Sequence, residues 1–302
     1  MFKEVLSFMI RENQYRALDT SGIKVSPLGV GTNRWEQGTN DEVVYEMYRS
    51  LVDAGVNFFD SAEIYTSGRS ESLLGECLHR DGRHVVVATK FMPSPQRESS
   101  KHFIQALDAS LDRLGIATVD LYYIHFPSPL LSVDTLMDFM SKAFEAGKIR
   151  AVGVSNFSAE EMRTAFARLE HFHIPLAANE VHYNLLHRQP EEDGVLDACR
   201  ELGVALVAYR PLERGQLISS SNGGKDSKEE NLLKTLNMIS QDREKTVSQV
   251  VLNWLLHKDR LIIPIPGATN VLHALENVDA LSWELSREEF AAIDQASSHW
   301  RH

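Results

Sequence analysis

The sequence predicts a closed (β/α)8 TIM barrel, and three observations carry that expectation. Short apolar β-prone runs alternate with amphipathic helical runs along the whole chain. Eight such β runs occur, each followed by a helical run. After the first of them the chain reads Thr32-Asn33-Arg34-Trp35, not the Gly-x-Gly-x-x-Gly turn that an open doubly wound sheet would want there.

Taken in order, residues 1–14 are expected to be a poorly ordered leader. Their apolar patch, Val5 to Ile10, is too short to span a membrane and lacks a small-residue cleavage site. Residues 15–302 are expected to form one barrel domain. Tyr15 to Pro27 holds Thr20-Ser21-Gly22 between two β-prone stretches, which predicts an N-terminal β-hairpin across the barrel bottom. The barrel strands are expected at Leu28–Gly31, Val56–Phe59, Val85–Thr89, Val119–Ile124, Ala151–Val154, Ala178–Val181, Ala205–Ala208 and Leu261–Pro264. All are short and apolar, as parallel strands buried on both faces should be. Capping boxes are expected at Thr39/Glu42, Ser158/Glu161 and Ser286/Glu289. Helical runs also cover Gln105 to Leu114, Leu136 to Phe144, Val195 to Leu202 and Val247 to Leu256. Glu213 to Lys228, with Ser219-Ser-Ser-Asn-Gly-Gly224, is the longest stretch without a periodic pattern and reads as a flexible loop, functional or disordered.

Composition bounds the partners. With 43% hydrophobic and 24% charged residues the chain can bury a large core. A formal charge of -11 argues against nucleic acid or an anionic membrane as the main partner. It leaves room for a local basic pocket. Cys77 and Cys199, the two cysteines, read as small buried residues rather than a disulfide. The expectation is a cytoplasmic protein, monomer or homo-oligomer, acting on a small molecule.

In such a barrel the reacting groups come from the C-terminal strand ends and the loops after them. Three successive strands end there in Asp60, Lys90 and His125, and Tyr65 lies one short loop beyond Asp60. Each has an ordinary reading on its own: a helix cap, a solvated lysine, a structural histidine, a packed ring. Their shared rim makes chemistry the better reading. A tyrosine hydroxyl can protonate a carbonyl oxygen, but its unperturbed pKa is about 10. A lysine ammonium stabilises the phenolate, an aspartate holds the lysine, and a histidine can orient the substrate oxygen.

These segments resemble the aldo-keto reductase superfamily. The resemblance rests on Gly55-Val-Asn-Phe-Phe-Asp-Ser-Ala-Glu-Ile-Tyr65, on Ser110-Leu-Asp-Arg-Leu-Gly115 running on to Val119-Asp-Leu-Tyr-Tyr-Ile-His125, on Gly147-Lys-Ile-Arg-Ala-Val-Gly-Val-Ser-Asn-Phe157 and on Gln249-Val-Val-Leu-Asn-Trp254. Matching blocks run in order from about Leu18 to Asn277. It implies an NADP(H)-dependent oxidoreductase, NAD(H) being the second possibility, with Asp60, Tyr65, Lys90 and His125 as catalytic residues and no metal. It also implies that Ser155 and Asn156 hold the carboxamide and Tyr209 stacks on the nicotinamide. Thr32, Asp60, Glu180, Arg210, Pro211, Leu212 and Gly215 follow along the cofactor. Gly267, Thr269, Asn270, His273, Glu276 and Asn277 lie towards the adenine end. Trp35, Phe91 and Phe126 are expected to wall an aromatic substrate mouth.

Three departures stand out. Glu180 replaces the usual Gln, losing a donor. Arg210 replaces a small residue, and the two are expected to form an ion pair beside the cofactor. The turn meeting a 2′-phosphate offers Thr269, Asn270 and His273 rather than Lys or Arg. Competing readings are a cofactor-binding regulatory or redox-sensing subunit with slow turnover, and an aldolase using Lys90 as a Schiff-base nucleophile. A metal hydrolase would need His171-Phe172-His173, which lies at the wrong face of the barrel.

Overall fold

The computed structural model describes residues 8–18, 21–35, 40–216 and 227–301. Strands β3 (Val30–Gly31), β4 (Phe58–Asp60), β5 (Val86–Phe91), β6 (Val119–Ile124), β7 (Ile149–Ser155), β8 (Leu176–His182), β9 (Ala205–Tyr209) and β10 (Ile262–Pro264) pair in parallel in sequence order. The ring is closed by the stretch around β3: the Gly29 amide donates to the Pro264 carbonyl at 3.0 Å, and the Gly31 amide to the Pro266 carbonyl at 3.3 Å. All eight strands fall where the apolar runs predict them, give or take end residues.

The hairpin is present as β1 (Arg16–Leu18) and β2 (Ile23–Val25), antiparallel, although Thr20 of its turn lies outside the described residues. Leu18, Ile23 and Val25 pack into the barrel axis with Phe58, Val86, Leu121 and Ile263. Arg16 fastens this plug at the start of β10, bonding the carbonyls of Ile262 and Leu256. Burial pulls its guanidinium down to about 10, and nearby Arg260 pulls the same way. Above the plug, the axis is filled by alanines at 88, 151, 178 and 205 and by the Tyr123 ring. That ring fits because its register partner across β7 is Gly153.

Around the sheet run α1 (Asp41–Asp53), α2 (Arg69–Asp81), α3 (Ser100–Leu114), α4 (Val133–Glu145), α5 (Ala159–Glu170), α6 (Val195–Leu202), α7 (Ser227–Asp242), α8 (Val247–Lys258), α9 (Val271–Asp279) and α10 (Arg287–Ala296). Their apolar stripes form one cluster with the outward-facing strand residues. The boxes at Ser158/Glu161 and Ser286/Glu289 are formed, and Thr246/Gln249 makes another. At α1 the expectation needs correcting. The cap is Asn40, whose side chain accepts from the Val43 amide at 2.8 Å, while Glu42 pairs with Arg80. Thr39 lies outside the described residues.

The expected leader also needs correcting from Ile10 onwards. Ile10 is buried and its amide donates to the Ala54 carbonyl at 3.0 Å. Tyr15 Oη donates to the Gly55 carbonyl at 2.6 Å, and Glu12–Gln14 form a 3-10 turn between them. Ile10 and Tyr15 thus dock against the α1–β4 turn. Of the expected loop from Glu213 to Lys228, Glu213–Gly215 is a 3-10 turn and Ser227 opens α7. Residues 217–226 lie outside the described residues.

The glycine under Tyr123 is testable. A Cβ at Gly153 would clash with the Tyr123 ring, which is fully buried in the barrel axis. Gly153→Ala is expected to cost about 1–3 kcal/mol, the usual toll of overpacking. Urea unfolding followed by circular dichroism measures it, and an unchanged midpoint contradicts the packing account.

Candidate active site

A cavity of about 570 Å³ opens where the barrel strands end. Asp60 closes β4, Lys90 is the fifth residue of β5, His125 follows β6, and Tyr65 begins the 3-10 turn Tyr65–Gly68 after β4. The register pairs Asp60 with Ala88 and Lys90 with Tyr123, so the groups arise at one level of the ring. Behind Tyr65 the chain turns through three residues of positive φ, Thr66 at 46°, Ser67 at 55° and Gly68 at 90°. Non-glycine residues adopt that region at a cost, so the turn is held by its surroundings.

Lys90 is fully buried and surrounded by acceptors. It hydrogen-bonds Asp60, donates to the Ser61 carbonyl at 2.9 Å, reaches Tyr65 Oη at 3.5 Å and lies 3.2 Å from Glu180 Oε2. Burial works against the ammonium, but Asp60 and Glu180 more than offset it and hold Lys90 above its ordinary value. Burial pushes the Tyr65 phenol up, and Lys90 only partly reverses this. The phenol therefore keeps its proton. Burial and then the Lys90 charge pull His125 down to about 3, so its imidazole is neutral. His125 stacks on Phe126 with centroids 5.1 Å apart and meets Tyr65 edge-on at 5.9 Å. Its Nδ1 is buried with no hydrogen-bond partner among the described residues.

Beside this group, β7 and β9 end in a polar shelf. Ser155 Oγ donates to the Glu180 carbonyl at 2.9 Å. Asn156, at φ 60°, donates to the His125 carbonyl at 3.1 Å and accepts from Tyr209 Oη at 3.0 Å. Tyr209 stacks at 5.2 Å on His182, which stacks at 4.0 Å on His187 and bonds Glu213 at 2.7 Å. Nothing in a one-sequence pattern singles out His182 and His187, because stacking joins the β8 end to the loop beyond it.

Most expected positions line the cavity: Asp60, Tyr65, His125, Phe126, Ser155, Asn156, Glu180 and Tyr209 through Leu212, then Gly215, Gly267, Thr269, His273, Glu276 and Asn277. Lys90 stands just beneath it. Four expectations are corrected. Thr32 is buried behind the strand, bonded to the Asp60 carbonyl and to Ser70, and ties β3 to β4. Trp35 is buried against Phe59, and Phe91 against Phe103, both on the helix side of the sheet. The Asn270 side chain caps α9, accepting from the His273 amide at 2.8 Å. The expected Glu180–Arg210 pair is also overturned. Glu180 points to the barrel axis and Lys90, whereas Arg210 is exposed at the rim.

The cavity has a cationic side that the sequence reading overlooked in part. Arg34 and Arg214 line it with Arg210, and among the described residues none of the three forms an ion pair. A Cβ placed on Gly267 would lie 3.8 Å from Arg34 Cδ, so Arg34 borders the turn after β10. Arg34 lies just after β3, so its rim position is legible in the sequence, although the aromatic Trp35 beside it is the stronger signal. Asn33, Ile64, Thr246 and Ser248 are further lining residues not expected.

Comparison with known proteins agrees with this fold. The profile of the Aldo/keto reductase family matches residues 27–298. A chloroplastic pyridoxal reductase of Arabidopsis thaliana is 32% identical over 91% of this chain and 84% of its own length. The aldo-keto reductase yakc [NADP(+)] of Schizosaccharomyces pombe is 32% identical over 85% and 83%. The crystal structure of the thermostable aldo-keto reductase Tm1743 with the inhibitor epalrestat superposes with a TM-score of 0.81 at 31% identity, over 93% of this chain and 99% of that one. With a parallel eight-stranded barrel, a hairpin across its bottom and a match over most of its length, the chain belongs to the aldo/keto reductase family of NAD(P)H-dependent oxidoreductases acting on carbonyl substrates.

Proposed function

We infer that this protein reduces aldehydes to alcohols with NADP(H), Tyr65 donating the proton. The observation that carries the reading is the buried Lys90, bonded to Asp60 and 3.5 Å from a protonated Tyr65 that faces a large cavity beside a neutral His125. The substrate carbonyl oxygen lies against Tyr65 Oη and the His125 ring. As negative charge grows on that oxygen, the phenol passes its proton across, and Lys90 stabilises the phenolate left behind. Asp60 keeps Lys90 in place and charged. A charged Lys90 is a poor amine nucleophile, which weighs against the Schiff-base reading.

The residues fit a nicotinamide cofactor. The volume is in the range of small-molecule sites, and the guanidiniums of Arg34, Arg210 and Arg214, without ion-pair partners among the described residues, suit its phosphates. When bound, the cofactor supplies or takes up the hydride. Ser155 and Asn156 would hold its carboxamide, Tyr209, backed by His182, would support the ring, and Leu212, Gly215 and the Gly267–Asn277 segment would follow the remainder. Arg34 beside the Gly267 turn provides the charge that Thr269 and His273 lack, favouring NADP(H) over NAD(H). At the mouth, Phe126 and Ile64 are 40% and 47% exposed, an apolar rim suited to aromatic aldehydes. Pyridine-type aldehydes belong in the test panel, since one relative is named for pyridoxal. Among the described residues no helix is long and apolar enough to cross a membrane.

Tyr65→Phe is expected to lower kcat for aldehyde reduction by about 10²–10⁴-fold, the range for a general acid, with NADPH binding intact. Steady-state absorbance at the reduced nicotinamide band, alongside fluorescence titration of the cofactor, separates the two. Full turnover in the variant would remove Tyr65 from the mechanism. Turnover absent in the wild type despite tight NADPH binding would favour a regulatory role.

Arg34→Ala is expected to weaken NADPH binding by roughly tenfold and NADH binding much less, the loss of one charge-assisted bond. Equal losses would place Arg34 on the shared pyrophosphate. The low His125 value gives a further expectation. Because its imidazole is already neutral well above about pH 3, kcat/KM for reduction should show no histidine break between about pH 5 and 8. An inflection near the ordinary histidine value, lost in His125→Asn, would contradict it.

A further inference from the structure

Glu180 sits in β8 opposite Ser155 of β7 and Val207 of β9, and its side chain meets the same ammonium that Asp60 holds. One lysine thus faces two carboxyl groups, and none of the three side chains is more than 2% exposed. Two ionised carboxylates on one ammonium would leave an uncompensated buried negative charge, which is strongly unfavourable. Asp60 Oδ2 is buried with no hydrogen-bond partner among the described residues, Glu180 Oε2 has only its 3.2 Å approach to Lys90 Nζ, and both carboxyls converge on that one ammonium. A single proton held by the pair removes the excess charge. Asp60 carries the hydrogen bond to Lys90, so Asp60 is the ionised partner and Glu180 the acid.

The groups facing Glu180 are Asp60 and Tyr65 from β4 and its turn, Lys90 from β5, Tyr123 and His125 from β6, and Tyr209 from β9. Lys90 is the only cation among them, and Asp60 already balances it. Burial and the Asp60 charge hold the Glu180 carboxyl well above the ordinary carboxylate range. Glu180 also lines the cavity, between the Ser155–Asn156 shelf and Tyr209.

We propose that Glu180 stores a proton in the free protein and releases it when an oxidised, positively charged nicotinamide occupies the cavity. The reductase reading supplies the cofactor, and the proposal rests on that. The balance is one O–H bond broken, one carboxylate formed and one proton passed to solvent, with no electron moved. Binding of the reduced, uncharged ring leaves the proton in place. A glutamine, the residue more usual at this position, would fill the same space and donate to Asp60 but has no proton to release. Glu180 therefore biases the reaction: rising pH tightens the oxidised cofactor alone and favours alcohol oxidation.

Direct binding tests this without turnover. Between about pH 6 and 9 the affinity of the wild type for NADP+ should rise about tenfold or more relative to NADPH, a field expected of one unscreened charge nearby. Glu180→Gln should hold that ratio constant. In the wild type alone, NADP+ binding at neutral pH should release protons to an indicator dye and bleach an infrared carbonyl band of a protonated carboxylic acid; NADPH should do neither. No such band in the free protein, or an equal pH response in wild type and Glu180→Gln, overturns the proposal. Proton release with no turnover of any carbonyl would count against the reductase reading while supporting this role for Glu180.

Discussion

Everything at the open end of this barrel depends on keeping one ammonium charged where there is no water. Lys90 is fully buried, and a bare buried ammonium would shed its proton or unfold its surroundings. Asp60 from the neighbouring strand and the Ser61 carbonyl after it keep it charged, and Glu180 reaches it from across the barrel. These contacts come from two distant parts of the sequence, so the arrangement forms only when β4, β5 and β8 are in register. That couples folding to chemistry. The same contacts that permit a buried lysine place its charge next to the Tyr65 hydroxyl, and that charge also drives His125 towards the neutral form.

The floor under Lys90 is part of the same constraint. Tyr123 lies across the axis below the ammonium, 5.5 Å from Nζ to the ring centroid, and closes the space between the site and the hairpin plug. A smaller residue there would open the buried charge to the barrel interior. A larger one opposite, at Gly153, would tilt the ring into it. The alanines below narrow the axis until Leu18, Ile23 and Val25 can seal it. The bottom of the barrel is thus specified by packing and the top by charge, with Tyr123 as the boundary.

How much of this could be read in the chain follows from which forces act locally. The strands were legible because burial on both faces makes each an uninterrupted apolar run, and the capping boxes at Ser158 and Ser286 because both partners are three residues apart. Asp60, Lys90 and His125 were legible because each terminates such a run. Side-chain direction was not. Trp35 and Phe91 sit next to rim residues yet face the helices, since position along a strand end does not say which side of the wall a residue takes once the strand gives way to loop. Pairing across the barrel was also out of reach. Glu180 and Arg210 lie on adjacent strands, which suggested a partnership, but β8 turns Glu180 inward while Arg210, at φ 51°, leaves β9 outward. At α1, Thr39 and Glu42 had the right spacing, but Arg80 on α2 claims the glutamate, a tertiary partner overriding a local one.

The charge distribution gives the final constraint on how the site takes its ligand. The chain carries a formal charge of -11, so the long-range field repels an anionic dinucleotide. Arg34, Arg210 and Arg214 nevertheless gather on one side of the cavity, and without ion-pair partners among the described residues they keep their donors available. Attraction at that rim acts only over a screening length of about 10 Å, inside which three guanidiniums outweigh the diffuse negative surface. Binding is therefore decided by short-range, geometrically specific bonds rather than by steering. Deeper in the cavity Asp60 balances Lys90 and Glu180 holds its proton, so the free site carries no net charge to set against the arginines. The arginine rim alone would orient the molecule by its phosphates, and negative charge would develop at the far end only when a ring that is cationic on oxidation lies over the carboxyl pair.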